Sequence, residues 1–396
     1  MAAILLPCSP GQYILSQLLD FIHPQQFHCC VERYGGDYKV QHFSTWHQFV
    51  CLVFAQLTWR ESLRDIAACL NACGDHLSHL GLLGPVKRST LADALAARDW
   101  RIVADLARHL IGQARPLYAT EPRALDLDQT IYALDASSID LGLSVYPWAR
   151  FDAQRAGLKI HTQLELHSAL PAQMLVSLAT FQEVCWLDQL VWEPGAFYLM
   201  DRAYVDWARL YAIEQARAWF VVRAKKSLRC CRLHAQPVDP ATGLRSDHII
   251  SLQAFYAAKD YPDKLRRVRF CDAEHRRALV FLTNHFGLPA LTVARLYQQR
   301  WQVELFFRWL KQHLRIKVFY GTSANAVRTQ LWVAVCVNAL VALLKKRLGS
   351  AATLYEILQI LSGSVFEKTP VNQLFQAFNS QTESTSLSNQ LGLFEQ

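Results

Sequence analysis

At 396 residues, with 52% hydrophobic residues, 11 Trp and 20 Phe, the chain can bury two or more cores and is too apolar to be disordered over most of its length. The net charge is +8, and residues 217–277 alone carry fourteen Lys/Arg against six Asp/Glu, so the whole excess lies in one segment. Such a segment permits a polyanionic partner. Eleven cysteines at irregular spacing, including the adjacent pairs Cys29-Cys30 and Cys230-Cys231, do not form a disulfide framework and fit reduced thiols in a cytosolic protein. No basic residue precedes Arg33, so a signal peptide is not expected.

Residues 1–115 read as helical. Tyr13–Ile22, Thr45–Leu57 and Ser62–Ala72 show apolar residues at three- and four-residue spacing, and Thr90-Leu-Ala-Asp93 reads as a capping box opening a helix to about Ile111. The junction Gln56–Arg64, with Trp59 and Arg60, suits either a DNA-contacting turn or a capped corner of a helical bundle. Cys69, Cys73, His76 and His79 match no zinc-finger spacing, and Gly74 interrupts their helix.

From about Arg115 to Gln129 an acidic, Pro-containing linker is expected, and strands begin after it. Ile131–Leu141 is β-prone and contains Asp135 and Asp140; five residues apart, these should point to opposite faces. Leu158–Leu166 alternates, with Leu158, Ile160, Thr162 and Leu164 on one face and Lys159, His161, Gln163 and Glu165 on the other. With Gln173–Leu178 these strands predict an antiparallel meander. A helix near Glu183–Leu190, the apolar strand Phe197–Met200 ending on Asp201, a helix over Tyr204–Gln215 and the strand Trp219–Arg223 then predict a mixed sheet with helices on its faces. An acid at the C-terminal end of a buried strand stands where open sheets place their chemistry.

The basic segment follows. Arg223, Lys225, Lys226, Arg229 and Arg232 run without an acid, and Lys264, Arg266, Arg267 and Arg269 form a second cluster. With strands expected at Ile249–Tyr256 and Val268–Cys271, this is a β-rich insertion before the sheet resumes at Leu279–Thr283. Its charge suits a solvated face or a nucleic-acid groove, and the adjoining carboxylates favour the groove. No Gly or Pro interrupts Leu291–Tyr320, which predicts one long helix capped by Thr292. On it Tyr297, Arg300, Glu304 and Lys311 fall within an arc of roughly 60°. That stripe suits an ordinary surface Arg–Glu pair or a metal-binding carboxylate with phosphate-gripping neighbours. Leu331–Leu344 is apolar but too short to span a bilayer, so a buried helix is expected. The tail from about Asn379 is Ser/Thr/Asn/Gln-rich and reads as disordered.

Asp135, Asp201 and Glu304, with the Tyr-x2-Arg-x3-Glu-x6-Lys spacing of Tyr297, Arg300, Glu304 and Lys311, resemble the DDE transposases of bacterial insertion sequences. The Asp-Ala-Ser-Ser-Ile run at Asp135, the Leu-Met-Asp-Arg-Ala-Tyr run at Asp201, the β-rich insertion and the stretch Arg33–Tyr38 extend the resemblance over nearly the whole chain. It implies an α/β fold: a ribonuclease-H-like mixed sheet with flanking helices over residues 121–350, a β-rich insertion at about 224–278, an all-α DNA-binding domain over 1–120, and a helical C-terminal segment with a tail over 351–396. It also implies that Asp135, Asp201 and Glu304 hold two Mg2+ or Mn2+ ions, with Asp135 bridging. Two ions stabilise both the attacking and the leaving oxygen of a phosphodiester displacement. Without ions, Glu304 is expected about 5 Å from the aspartates. Tyr297, Arg300 and Lys311 are expected to grip transposon-end DNA, and Arg223, Lys225, Lys226, Arg266 and Arg267 to contact DNA. The implied partners are double-stranded DNA, both element ends and target, and a second copy of the chain in the DNA complex; no membrane is implied. A nuclease without strand transfer and an inactive DNA-binding remnant remain as alternatives. No Trp lies in 220–278, so a hairpin intermediate held by such a residue is not expected.

Overall fold

The computed structural model describes residues 12–82, 84–119, 125, 127–272, 277–313, 319–350 and 352–375. By contacts the chain forms two units, Met1–Tyr118 with Trp309–Gln396, and Ala119–Arg308. The expected break near residue 350 differs from this division, because the chain after Arg308 packs with the N-terminal helices rather than with the sheet.

In the first unit α1 (Ile14–Leu19), α2 (Pro24–Arg33), α3 (Thr45–Leu57), α4 (Leu63–Ala72), α5 (Arg88–Ala97) and α6 (Arg101–Tyr118) follow one another. Proline at the first position of α2 starts that helix, which the apolar spacing had not disclosed. Ser44 and Ser62 cap α3 and α4 by accepting from the amides of His47 and Asp65. The single helix expected from Thr90 to Ile111 is two helices. Arg98 leaves α5 in extended backbone, and its guanidinium turns to the Phe43 and Ser44 carbonyls and Gln48. Arg60 likewise folds back on Thr58, Asp65 and Cys69, so the Gln56–Arg64 junction is a bonded corner.

The second unit is built on one nine-stranded sheet, ordered β3-β2-β1-β4-β5-β9-β8-β7-β6. Its first five strands are β1 (Ile131–Leu141), β2 (Ala156–Glu165), β3 (Leu170–Leu178), β4 (Phe197–Met200) and β5 (Trp219–Arg223). β1, β2 and β3 form the antiparallel meander, while β1, β4 and β5 run parallel. This is the ribonuclease-H-like core. α7 (Trp207–Gln215), capped by Asp206, crosses between β4 and β5. The helix expected near Glu183 is a 3-10 helix throughout, Glu183–Gln189, and the one expected from Tyr204 starts at Trp207 after the 3-10 turn Arg202–Tyr204.

β6 (Cys230–Gln236), β7 (Leu244–Leu252), α8 (Phe255–Asp260), β8 (Leu265–Asp272) and β9 (Arg277–Thr283) continue the same sheet by antiparallel pairing, so the basic insertion is an extension of the core sheet. Phe255 and Tyr256 lie on α8, not on a strand.

The alternating polar face of β2 is not solvated: His161 and Gln163 are buried between β1 and β3. His161 packs against Phe181 and Trp186 and bonds Ser177, and burial pushes its imidazole down to about 4.

The expected long helix is also two. α9 (Ala290–Gln299) starts at Pro289 with no side-chain cap, and α10 (Trp301–His313) follows a one-residue joint at Arg300. There the Arg300 amide bonds the Tyr297 carbonyl and the Val303 amide bonds the Arg300 carbonyl, both at three-residue spacing. No glycine or proline announces that break. α11 (Ala324–Leu348) and α12 (Leu354–Ser364) return to the first unit. α11 is 25 residues long and apolar enough to span a bilayer, but 94% of its apolar window is buried in the protein, packed largely on α6 and α3. The expectation of a buried helix thus rests on packing rather than on length.

Candidate active site

The β1–β4 pairing places Ile131 opposite Phe197 and Ala133 opposite Leu199, an offset of 66 residues. The same offset carries Asp135 onto Asp201, so the two aspartates leave neighbouring parallel strands at one level. Strand alternation puts both on the face away from Leu134 and Met200, which pack into the core cluster of the opposite face. α9 covers the aspartate face, with Tyr297 packed on Phe281 at 4.6 Å between ring centroids.

Arg300 joins the acids. Its Nη1 donates to Asp135 Oδ2 at 3.0 Å and its Nη2 to Glu304 Oε1 at 2.6 Å. Asp135 Oδ1 accepts from the Ala136 amide at 2.9 Å, and Asp201 Oδ1 accepts from the Ala203 amide at 2.5 Å. Burial pushes the Asp135 carboxyl up to about 6. Arg300 and the Ala136 amide pull against that, while the charges of Asp201 and Glu304 add to it. Burial disfavours the Arg300 charge, but its neighbours Tyr297, Asp135 and Glu304 outweigh this and hold the guanidinium firmly protonated.

The three predicted acids therefore come together electrostatically, but not as a ready trio. Among the described residues no three His, Cys, Asp or Glu side chains are set to hold an ion, and Arg300 bridges two of the carboxylates instead. The donor chemistry nonetheless fits a divalent cation. All three groups are hard carboxylates, and the described bonds engage only one oxygen each of Asp201 and Glu304. The cluster also holds more negative than positive charge, which one guanidinium balances only in part.

The other predicted residues divide. Tyr297 is buried, with the Arg300 guanidinium 5.7 Å from its ring centroid. Lys311 lies on α10 seven residues beyond Glu304 and is half-buried. Arg223 ends β5 and is half-buried; Lys225 is exposed and gives one N–H to the Val205 carbonyl at 2.8 Å; Lys226 is exposed; Arg267 is half-buried on β8. Arg266 is a correction. Only 2% exposed, it pairs through two bonds with the equally buried Asp247 and donates to the Leu288 and Phe286 carbonyls, which leaves it no DNA-facing group. Asp140 is exposed, well apart in environment from Asp135.

Two features escape a reading of the sequence. Arg300 is a counter-ion to the acids, which four-residue spacing to Glu304 hints at but contact with Asp135 does not. Tyr204, three residues after Asp201, is fully buried in the core cluster of the opposite face, and its hydroxyl has no partner among the described residues. That position was the available signal.

A ribonuclease-H-like sheet carrying two aspartates at adjacent strand ends and a glutamate on the covering helix defines the acid-triad nucleases and recombinases. Residues 126–340 match the family described as Transposase DDE domain, and residues 10–83 match a domain of unknown function, DUF4372. A putative transposase of Sinorhizobium fredii is 32% identical over 262 residues, covering 65% of this chain and 71% of its own. A probable insertion-sequence transposase of Geobacillus stearothermophilus is 30% identical over 217 residues, 54% of this chain and 56% of its own. The piggyBac transposase synaptic complex with hairpin DNA aligns over 93% of this chain and 83% of its own at 9% identity and a TM-score of 0.48, too loose a likeness to carry an inference. The chain belongs to the DDE transposases of insertion sequences.

Proposed function

We propose that this chain binds the terminal inverted repeats of its element and carries out metal-dependent strand cleavage and strand transfer. The observation that carries the reading is that Arg300 ties Asp135 to Glu304 while Asp201 stands level with Asp135 at the end of the neighbouring strand.

In this reading Asp135, Asp201 and Glu304 hold two Mg2+ or Mn2+ ions, which when bound activate the attacking oxygen and stabilise the leaving one. Ala136 and Ala203 amides fix one oxygen of each aspartate and so limit how the carboxylates turn. Arg300 neutralises the acids and, with Lys311, supplies cationic donors for the phosphate at the element's end; a guanidinium binds phosphate oxygens in pairs. Tyr297 packs under Arg300 and restricts its rotamers.

The exposed cations Lys226, Arg229, Arg232, Lys264 and Arg269 of the sheet extension would track duplex backbone, along with Lys225, Arg223 and Arg267. In the helical unit, an open cleft of about 1290 Å3 lined by Tyr38, Lys39, His42 and Lys87 suits a second DNA contact. Two ends joined in one reaction call for two sites, hence a homodimer on DNA.

The test is incubation with duplexes ending in the element's inverted repeats and a supercoiled target plasmid in Mg2+. Joined end–target products support the proposal. Cleaved ends with no joined product would reassign the chain as a hydrolytic nuclease.

A further inference from the structure

In the helical unit, the stretch Arg33–Tyr38 is engaged in its own folding at every residue but the last. Arg33 Nη1 and the Tyr34 hydroxyl both donate to Oδ2 of the buried Asp105 on α6, at 2.5 and 3.0 Å. Gly35 takes φ +64° just past the end of α2. Gly36 lies so close to its neighbours that a Cβ would stand 2.6 Å from Ile102 Cδ1 and 2.8 Å from Thr45 Oγ1. Asp37 Oδ1 accepts from the Thr45 amide at 2.6 Å and from its hydroxyl at 2.7 Å, at the start of α3. Tyr38 has no such task. Its side chain is 77% exposed, and among the described residues its ring meets only the Lys39 ammonium, 5.2 Å from the ring centroid.

The backbone holds this ring out. The Val40 amide bonds the Asp37 carbonyl at 3.1 Å, so Tyr38 and Lys39 are the central pair of a turn. Lys39 sits there at φ +58°, where glycine is the usual residue. Beyond the turn, Arg98 grips the Phe43 and Ser44 carbonyls, so the loop is braced at both ends. An exposed tyrosine on a braced turn offers a large contact at little cost in conformational entropy.

Charge selects the occupant. The cleft of about 1290 Å3 is lined by Tyr38, Lys39 and His42 from this loop and by Lys87 and Thr90 at the start of α5, a helix without a side-chain cap. Among the described residues the Lys39 and Lys87 ammonium groups have no hydrogen bond or ion pair. Of the two acids that line the cleft, Asp99 is taken by Arg101 at 2.6 and 3.0 Å, which leaves Asp93. Free ammonium groups and uncapped helix amides suit phosphates, and an exposed ring beside them suits the bases or sugars that phosphates link.

We infer that the Tyr38–Lys39 turn is a duplex-DNA contact of the helical unit, in which the Tyr38 ring enters a groove against a base or sugar while Lys39 and Lys87 hold phosphates. This rests on the reading of the chain as a protein that binds the ends of its element. The lysines supply the part of the affinity that salt screens, and the ring a part that it does not.

The experiment measures the affinity of full-length wild type, Tyr38→Ala and Lys39→Gly for a fluorescein-labelled duplex of the element's terminal repeat. Anisotropy is read across a range of KCl concentrations, with melting temperature and gel filtration alongside. Glycine is chosen at position 39 because it keeps the backbone of the turn at φ +58° without strain. The inference predicts that Tyr38→Ala binds about tenfold more weakly at every salt concentration, as for one lost ring contact, with the slope of log affinity on log salt and the melting temperature unchanged. Lys39→Gly should instead flatten that slope by about one. Wild-type affinity in Tyr38→Ala overturns the inference, and so does an unchanged slope in Lys39→Gly. A loss in Tyr38→Ala that comes with a lower melting temperature also overturns it, because the ring would then brace the fold. If Tyr38→Ala binds as wild type does but elutes as a smaller species, the ring belongs to a contact between copies of the chain and the inference is overturned. If wild type itself does not bind the duplex at low salt, the end-binding reading fails and the inference falls with it.

Discussion

Replacing Asp247 with alanine strands the Arg266 guanidinium inside the sheet extension. Both side chains are 2% exposed, and they meet through bonds of 2.9 and 2.6 Å. The third nitrogen, Nη1, donates to the carbonyls of Leu288 at 2.5 Å and Phe286 at 3.2 Å, in the loop that leads into α9. Losing one partner of such a pair leaves an uncompensated buried charge, which costs about 3–5 kcal/mol. In the Ala119–Arg308 unit that corresponds to a melting drop of roughly 6–20 °C at about 2–4 °C per kcal/mol. Urea denaturation followed by tryptophan fluorescence gives the free energy directly. The double variant Asp247→Leu with Arg266→Met should recover much of the loss, since a well-packed apolar pair replaces a buried ionic one at little cost. The reasoning is refuted if Asp247→Ala loses less than about 1 kcal/mol while duplex DNA binding falls, for Arg266 would then be a surface contact after all.

Three further outcomes follow from the site. Asp135, pushed up to about 6, binds a proton more tightly folded than unfolded, so its contribution to stability is full below about pH 4 and is lost as pH rises through about 6. The same proton competes with a cation, and calorimetric titration with Mn2+ should show affinity falling as pH drops below about 6. Arg300→Gln removes the shared partner of Asp135 and Glu304; with Glu304 about a third exposed, the cost is about 1–3 kcal/mol. Divalent ions should raise the melting temperature of Arg300→Gln more than that of wild type, and equal shifts would deny Arg300 its counter-ion role. Lys226→Glu with Arg229→Glu should weaken duplex binding at low salt and flatten its salt dependence by about one unit for each phosphate no longer neutralised; an unchanged slope in a fluorescence titration would take the sheet extension out of the DNA path.

The core strands were legible because apolar runs bounded by turns have few other homes. Phe197–Met200 and Trp219–Arg223 lie where the sequence put them, and Asp201 directly after its strand followed at once. The four-residue spacing of Arg300 and Glu304 announced the pair they form. What stayed hidden depended on tertiary partners. The helix breaks at Arg300 with no glycine or proline, in a joint where its side chain reaches Asp135, 165 residues earlier in the chain. Arg266 and Arg267 are adjacent and alike in sequence, yet strand alternation buries one and leaves its neighbour half-exposed. His161 and Gln163 share the polar face of an alternating strand, yet strands on both sides and the rings of Phe181 and Trp186 cover His161. Tyr204 belongs to the run around Asp201, but an unpartnered hydroxyl is visible only in three dimensions.

The central claim, that Asp135, Asp201 and Glu304 form one cation-dependent catalytic site, is tested most directly by end cleavage in Mg2+ with Asp135→Asn, Asp201→Asn and Glu304→Gln measured separately. Loss of a cation ligand removes several kcal/mol of transition-state stabilisation, so each variant should cleave at least about a hundredfold more slowly while binding end DNA as wild type does. Cleavage within a few-fold of wild type in any one of the three would contradict the account.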